Sequence, residues 1–200
     1  MNDQSMAMSE DECWHLIRQI AFSSFSTPDL QISYLPFAFK QPDAALSHFA
    51  RSNPHWKNIN QTDCLISILG PHAFISTNCY ESKPAVSTWN YACVNIWGTA
   101  QLMNESETQS LLDDMLDTFE PALKNDKHTF PDIFRRTLAE QIVGVKIEIN
   151  NIRGRLKLGQ HKKLNDQFKV HQTLKTGSLD EQNYAEFSKQ WLKKFRNIDI

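Results

Sequence analysis

The sequence predicts a mainly β protein with added helices, of the α+β class, in which consecutive antiparallel strands form a small closed or partly closed barrel. Short runs rich in Ile, Val, Phe and Trp recur between turn signals along the first 100 residues. A pair of helical segments is inserted before the last strand, and a C-terminal amphipathic helix follows it. This order of elements does not fit a doubly wound parallel sheet.

The N-terminal elements are one helix and three short strands. Ser9 and Glu12 have the spacing of a capping box, which predicts the start of a helix. Strands are predicted over 22–27, 32–39 and 45–49. Pro36, within the second of these strands, indicates an edge strand or a bulge.

The central strands are longer and more apolar. A buried strand is predicted from the residue after Asp63 to Leu69; Gly70-Pro71 interrupts it, and it resumes over 72–76. The longest strand candidate is 87–101, where Gly98 predicts a bulge or a close approach of another backbone.

The second half of the sequence combines helices with one clear strand. Either Asn104 with Glu107 or Ser106 with Gln109 caps the first inserted helix. Alternating apolar and polar residues over 143–150 predict a half-buried strand. The remaining predictions are a basic loop over 153–163 and an amphipathic helix over 181–196.

Length and charge suggest one domain with an appendage. The chain has 200 residues, 40% of them hydrophobic and 22% charged, so a packed core is expected rather than disorder. Residues 1–150 contain 10 Lys and Arg against 18 Asp and Glu, whereas residues 151–200 contain 11 against 5. We therefore predict a barrel domain over 1–155 and a basic helical appendage over 156–200. The net charge of -2 excludes a generally basic nucleic-acid binder, although the appendage could meet phosphate, nucleic acid or an acidic protein face.

The cysteines and the N-terminus indicate a cytoplasmic protein. The four cysteines form no C-x-x-C pair and have no histidine at a usual zinc spacing, so no metal ligand is assigned. The first residues are polar and acidic, unlike a signal peptide, and no apolar run approaches the length of a membrane span. We expect reduced thiols and no membrane partner.

Side chains that suit a ligand lie at the predicted turns. In HFARSNPHW, residues 48–56, Arg51 offers a planar cation and Ser52 a hydroxyl, as a phosphate requires. A solvated surface loop is the alternative. In GPHAFIS, residues 70–76, His72 is predicted to be a hydrogen-bonded core group rather than a catalyst.

The strand candidate 87–97 has two different faces. Trp89 and Tyr91 share one face with Cys93, whereas Asn90 and Ala92 belong to the other. The aromatic face could stack a flat heterocycle whose edge Asn90 reads; the alternatives are a core face or a dimer contact. The basic residues of 153–163 form a solvated loop, a phosphate-closing segment or a weak nucleic-acid patch.

No catalytic signature accompanies these candidates. The sequence contains no G-x-S-x-G, P-loop, G-x-G-x-x-G or paired-carboxylate pattern. The residues alone thus lead to a barrel with an aromatic, phosphate-bearing ligand site, and they leave open whether the protein is an enzyme.

The motifs HFARSNPHW, GPHAFIS, TWNY and IVGVKIEI–NIRGRLKLGQ resemble those of the PaiB family, described as FMN-binding negative transcriptional regulators. The resemblance extends from about Ile17 to His161. It implies a split β-barrel of the FMN-binding, pyridoxamine-phosphate-oxidase-like type. It also implies a homodimer with FMN at the subunit interface.

The resemblance implies a set of cofactor-binding residues as well. Those that we carry over are His48, Arg51, Ser52, Asn53, His72, Ser76, Thr88, Trp89, Asn90, Lys157 and Gln160. Some neighbouring positions depart from the family pattern. Tyr34 replaces a histidine, Ser47 a glycine and Ser87 a proline.

Three functions follow from these observations. The first is an FMN-binding protein that acts as a flavin-linked regulator of transcription, through DNA or through a partner regulator. The second is a flavin-dependent oxidoreductase. The third is a drifted split barrel that binds another planar ligand such as haem, with His72, His48 and Cys79 as axial-ligand candidates.

Overall fold

A computed structural model describes residues 6–40 and 42–200. The helices are α1 Glu10–Gln19, α2 Glu105–Phe119, α3 Asp132–Glu140, α4 Leu164–Leu174 and α5 Leu179–Arg196. The strands are β1 Phe22–Ser26, β2 Ile32–Pro36, β3 Ala38–Lys40, β4 Ala44–Ala50, β5 Thr62–Ile75, β6 Thr88–Leu102 and β7 Ile142–Lys157. Short 3₁₀ helices cover Pro54–Asn58, Thr77–Cys79 and Pro121–Leu123.

The strands form one seven-stranded sheet in the order β2-β1-β5-β6-β7-β4-β3. The registers defined for β1 with β2, β1 with β5, β3 with β4 and β4 with β7 are all antiparallel. The predicted class, mainly β with an inserted helical pair and a C-terminal helix, is therefore confirmed.

The chain divides into two compact units. The first comprises Met1–Ile17, of which the structure describes residues 6–17, together with Leu69–Val94 and Arg153–Ile200. The second comprises Arg18–Ile68 and Asn95–Ile152. The boundary predicted between a domain over 1–155 and an appendage over 156–200 stays a prediction, because a grouping by contacts does not show which segments fold independently.

In the second unit, α2 packs its apolar stripe on the sheet. Leu111 and Met115, one helical turn apart, join Ala38 of β3 and Leu46 of β4 in a buried cluster. Of the two predicted caps, Asn104 with Glu107 is the one that forms, as a capping box with hydrogen bonds of 2.9 and 2.8 Å. The sequence pattern therefore located this helix well.

In the first unit, a buried carboxylate ties α1 to α5. Glu12, of the confirmed capping box with Ser9, accepts hydrogen bonds from the Trp191 indole at 3.2 Å and from Arg196 at 2.7 Å. Burial alone would raise the pKa of Glu12, but the Ser9 N–H, Arg196 and Trp191 outweigh it and hold that pKa below its ordinary value. The C-terminal helix is thus anchored by a paired, hydrogen-bonded charge.

Two predicted strand boundaries were wrong. The strand predicted over 32–39 is two strands, because the backbone breaks at Phe37, a buried residue whose N–H donates to the Ala21 carbonyl at 2.8 Å. The second wrong boundary is in the strand predicted after Asp63. Gly70-Pro71 does not interrupt it, since β5 is continuous from Thr62 to Ile75. Pro71 is tolerated because the pairing of β5 with β1 involves Leu65–Ser67 and stops before Pro71. Glycine suits position 70 because a Cβ there would lie only 3.2 Å from the Ala92 carbonyl oxygen.

Two C-terminal segments also differ from prediction. Residues 153–157 are not a loop but the end of β7, where exposed charged residues still alternate with Gly154 and Leu156. Helix α4 escaped prediction because its buried face carries the polar residues Asp166, Gln167 and His171, so the apolar period is weak. The predicted close approach of another backbone at Gly98 is confirmed, since a Cβ there would overlap the Glu148 carbonyl oxygen.

Candidate functional site

The predicted cofactor-binding residues fall into both units. His48, Arg51, Ser52 and Asn53 belong to the second unit. His72, Ser76, Thr88, Trp89, Asn90, Lys157 and Gln160 belong to the first.

In the second unit, Arg51 holds the end of α3. Its Nε donates to the Glu140 carbonyl at 2.7 Å, its Nη2 donates to the Ile142 carbonyl at 3.0 Å, and its backbone N–H donates to Gln141 O at 2.8 Å. These acceptors include a carbonyl of the last turn of α3, which has no partner within the helix. Arg51 also lines a groove of about 770 Å³ with Arg136 and Trp56. Its fixed orientation therefore has a structural cause that needs no ligand.

The neighbours of Arg51 in the motif are largely structural. Asn53 accepts from the His55 N–H at 3.0 Å and so caps the 3₁₀ helix Pro54–Asn58, and its amide donates to Ser33 Oγ at 3.1 Å. Ser52 is exposed. His48 is half-buried; its Nδ1 has no hydrogen-bond partner among the described residues, and burial lowers its pKa.

Sequence reasoning missed a buried histidine in the same motif. His55 is 3% exposed, with Nδ1 2.8 Å from Ser33 Oγ and Nε2 2.8 Å from Thr27 Oγ1. Thr27 in turn donates to Asp29 at 2.6 Å. Burial lowers the pKa of His55, although Asp29 acts in the opposite direction. Its position after Asn53-Pro54 was visible in the sequence, but its partners, 22 and 28 residues away, were not.

In the first unit, His72 and Trp89 form a pair. The Trp89 indole donates to His72 Nδ1 at 3.2 Å, and Phe74 contacts the same indole with ring centroids 5.9 Å apart. Trp89 is 51% exposed and His72 half-buried, so His72 is hydrogen-bonded as predicted but does not lie in the core. Ser76 accepts from the Asn78 N–H and caps Thr77–Cys79.

The predicted alternation along β6 is confirmed. Asn90, Ala92 and Val94 are buried, whereas Trp89 is exposed and Tyr91 half-buried. The aromatic face is thus the more open one, and Asn90 lies on the opposite face from Trp89. Trp89 and Asn90 therefore cannot contact one ligand from the same side of the strand.

A cleft within the first unit brings together three predicted residues: Thr88, Asn90 and Lys157. Its volume is about 320 Å³. The Lys157 ammonium donates to Thr88 Oγ1 at 2.6 Å. Arg155, His161 and Lys162 add positive or titratable groups, and Tyr80 and Tyr91 add aromatic rings.

The cleft is electrostatically positive. No Asp or Glu occurs among the described residues that line it. Burial and the adjacent Lys162 and Lys157 lower the pKa of His161. The Lys162 ammonium lies 5.0 Å from the centroid of the Tyr80 ring. Such a lining suits an anionic ligand with a flat apolar part.

The turn after β7 shapes one wall of this cleft. Gln160 donates to the Leu156 carbonyl at 2.8 Å and accepts from the Leu158 N–H at 2.9 Å, while Gly159 adopts φ +79°. Gln160 therefore holds the turn and is not itself placed in the lining. The basic cluster of the sequence indicated Arg155 and Lys162, whereas Tyr80 and Gly159 carried no signal of their own.

Within residues 6–40 and 42–200, no helix has the length and hydrophobicity that crossing a membrane requires. Among the same residues, no group of three or more His, Cys, Asp or Glu side chains could hold a metal ion.

Comparisons with known proteins identify the family. A family model described as "Putative FMN-binding domain" matches residues 2–151. Over 196 residues the chain is 30% identical to the protease synthase and sporulation protein PAI 2 of Bacillus subtilis, covering 92% of this chain and 93% of that protein.

Two solved structures share the fold. The flavocytochrome Anf3 of Azotobacter vinelandii matches with a TM-score of 0.58 at 11% identity, over 78% of this chain and 72% of that one. The FAD and haem binding protein of Mycobacterium smegmatis matches with a TM-score of 0.58 at 14% identity, over 74% and 71%. The fold is therefore that of the flavin-binding split barrels, and this chain belongs to the PaiB family of FMN-binding domains.

Proposed function

We propose that this protein binds FMN in the cleft of the first unit and acts as a flavin-linked regulator of transcription. The observation that carries the proposal is the contact of Lys157 with Thr88 in a cleft that also contains Arg155 and Lys162. The description of the family and the flavin-binding proteins that share the fold support FMN as the ligand.

The cleft residues fit both parts of FMN. A phosphate is best held by fixed cations and short hydroxyl or N–H donors, which Lys157, Arg155 and Thr88 supply. A flat heterocycle is best held by aromatic surface, which the half-buried Tyr91 supplies, whereas Tyr80 is 4% exposed and contributes to the wall. A volume of about 320 Å³ lies within the range of small-molecule sites.

FMN, when bound, supplies reversible electron transfer. The protein's own residues bind and orient it. Lys157 and Arg155 neutralise the phosphate charge, and Thr88 is held in place by Lys157. For His48, Arg51, Ser52 and Asn53 of the second unit, a role at this cofactor stays a prediction.

Titration with FMN, followed by flavin fluorescence, tests the cofactor proposal. We expect Lys157→Gln to weaken FMN binding at least about tenfold, since a hydrogen bond to a charged group contributes about 1.5–3 kcal/mol. Lys146→Gln, on the same strand but exposed in the second unit, is the matched control and should bind FMN as the wild type does. A wild-type protein that does not retain or quench FMN would refute the proposal.

The regulatory part of the proposal rests on the basic C-terminal quarter and on the motifs that resemble those of the PaiB family, described as FMN-binding negative transcriptional regulators. Residues 151–200 contain 11 Lys and Arg against 5 Asp and Glu, so direct contact with DNA is one route. Contact with a partner regulator is the other. A mobility-shift titration at 50 and 200 mM salt separates them, because contact with phosphates predicts binding that weakens steeply with salt. Absence of any shift at low salt rules out the direct route.

We also propose a homodimer. Trp89 and Phe74 are 51% and 50% exposed and contact each other on one face of the first unit, where a second copy of the chain could cover them. Light scattering on the eluting protein should give twice the monomer mass of 23.1 kDa, and Trp89→Glu should lower it. A wild-type mass of one chain contradicts the dimer.

A further inference from the structure

A buried hydrogen-bond chain lies behind the proposed cofactor cleft. The Asn90 amide nitrogen lies 2.9 Å from the hydroxyl oxygen of Tyr184, which lies 3.5 Å from the Leu158 carbonyl. Asn90 is 3% exposed and Tyr184 1% exposed. Tyr184 belongs to α5, which lies outside the part of the chain that the family model matches. A residue far along the chain thus contacts a residue that lines the cleft.

We propose that Tyr184 fixes the Asn90 amide in one orientation and so makes Asn90 the group that selects the ring edge of the cofactor. The inference rests on the proposed binding of FMN in this cleft. Tyr184 is a positioning residue in this proposal and touches no ligand itself.

The direction of the hydrogen bonds supports a single orientation. A tyrosine hydroxyl has one proton, and the Leu158 carbonyl can only accept. If the hydroxyl donates to Leu158, it must accept from Asn90, so the amide nitrogen faces Tyr184. A flipped amide would present its oxygen instead and would take the hydroxyl proton from Leu158. The chain therefore favours one of the two amide orientations.

The turn after β7 lies next to the same amide. Gly159 adopts φ +79°, and a Cβ built on it would lie 3.5 Å from the Asn90 amide nitrogen, an ordinary van der Waals distance. A glycine at this position therefore leaves room beside the amide in the wall of the cleft. The orientation of the amide depends on its hydrogen bond to Tyr184.

A fixed amide can recognise a specific edge. After its bond to Tyr184, Asn90 retains one N–H donor and its carbonyl acceptor. A donor beside an acceptor is complementary to an imide, whose N–H stands beside a carbonyl. The pyrimidine edge of the flavin ring is such an imide. Because Arg155, Lys157 and Lys162 can only donate hydrogen bonds, Asn90 is suited to the ring and these cations to the phosphate.

Binding of FMN and of N3-methyl-FMN, which lacks the imide N–H, tests the selection. We expect the wild type to prefer FMN about tenfold, because an unpaired buried acceptor is costly. Tyr184→Phe should reduce this preference to about twofold or less. Tyr34→Phe removes an exposed hydroxyl in the second unit and should leave the preference unchanged.

A double-mutant cycle separates positioning from general damage to the fold. Asn90→Leu should abolish the preference, and adding Tyr184→Phe to it should change nothing more. Equal binding of the two flavins by the wild type, or an undiminished preference in Tyr184→Phe, overturns the inference while leaving FMN binding intact.

Hydrogen exchange of the Asn90 side-chain amide gives a readout that needs no flavin. The amide signals, identified by their loss in Asn90→Leu, should exchange slowly in the wild type and about tenfold faster in Tyr184→Phe. Unchanged exchange in Tyr184→Phe overturns the positioning role. A wild-type protein that binds neither flavin instead refutes the proposed function, and the selection step with it.

Discussion

At the scale of single residues, Arg51 illustrates how a motif can serve the fold. Its side chain donates to two carbonyls, Glu140 O and Ile142 O, where α3 ends and β7 begins. The indole of Trp56 donates to the Arg51 carbonyl at 3.0 Å, which fixes the loop from the other side. A cation in a loop is therefore not by itself a phosphate ligand.

We expect Arg51→Ala to destabilise the protein by about 1 kcal/mol, because two carbonyls lose a charged donor at an exposed site, where water replaces part of the interaction. Urea denaturation followed by tryptophan fluorescence measures the change in the free energy of unfolding. Arg136→Ala, which removes an exposed arginine of the same groove, should change the stability by less than about 0.5 kcal/mol.

FMN titration of the same two variants separates a structural from a ligand-binding role of Arg51. Unchanged stability with a large loss of FMN affinity would contradict the structural role. It would favour instead the contact with the flavin phosphate that the family resemblance implies.

At the scale of elements, a polar contact holds the start of α4, whose buried face carries Val170 and Leu174 beside three polar residues. Asp166, 3% exposed, accepts from the backbone N–H groups of Glu81 and Ser82, each at 2.9 Å. These hydrogen bonds hold the pKa of Asp166 below its ordinary value. These hydrogen bonds join α4 to the segment that follows Tyr80, within the first unit. Tyr80 itself lines the cleft.

We expect Asp166→Ala to release this segment, since two backbone N–H groups lose their acceptor. Hydrogen exchange should show the Glu81 and Ser82 amides exchanging about tenfold faster. Asp180→Ala, an exposed acidic residue in the first turn of α5, serves as control. If Glu81 and Ser82 keep their protection in Asp166→Ala, the anchoring role is wrong.

At the scale of the whole molecule, three histidines couple folding to pH. Burial lowers the pKa values of the half-buried His48 and of the buried His55 and His171 from the ordinary value of 6.5. The unfolded chain therefore binds more protons than the folded one as the pH falls below about 6.5. The contribution of these histidines to the free energy of unfolding is complete above that pH. It is lost as the pH falls toward their lowered pKa values.

We expect the urea concentration at the unfolding midpoint to decrease when the pH is lowered from 7.5 to 5.5. Acidic residues with a lowered pKa, such as Glu12, take up protons only below this range. His55→Gln should reduce this pH dependence, because it removes a buried imidazole. His128→Gln, at an exposed position, should leave it unchanged. A midpoint that rises on acidification would have the wrong sign.

Most of the predicted cofactor-binding residues came from the resemblance to one family. The structure places only some of them around one cleft. The cleft contains Thr88, Asn90 and Lys157. Thr88 and Lys157, which are hydrogen-bonded to each other, are 69 residues apart in the chain. Gln160, Ser76 and Asn53 instead hold turns and caps. A motif lists residue types in order, but it does not say which of them face a ligand and which hold the backbone.

The sequence by itself determined the elements whose pattern is local: the capping box at Ser9, the α2 stripe, and the alternation along β6 and β7. For α2 it narrowed the cap to two candidates, of which the structure has Asn104. Only the tertiary structure decided that β5 continues through Pro71, that α4 forms around Asp166, and that Tyr184 reaches Asn90. The physical reason is the same in each case. Propensity and periodicity act between near neighbours, whereas these outcomes depend on hydrogen bonds and packing between residues far apart in the chain.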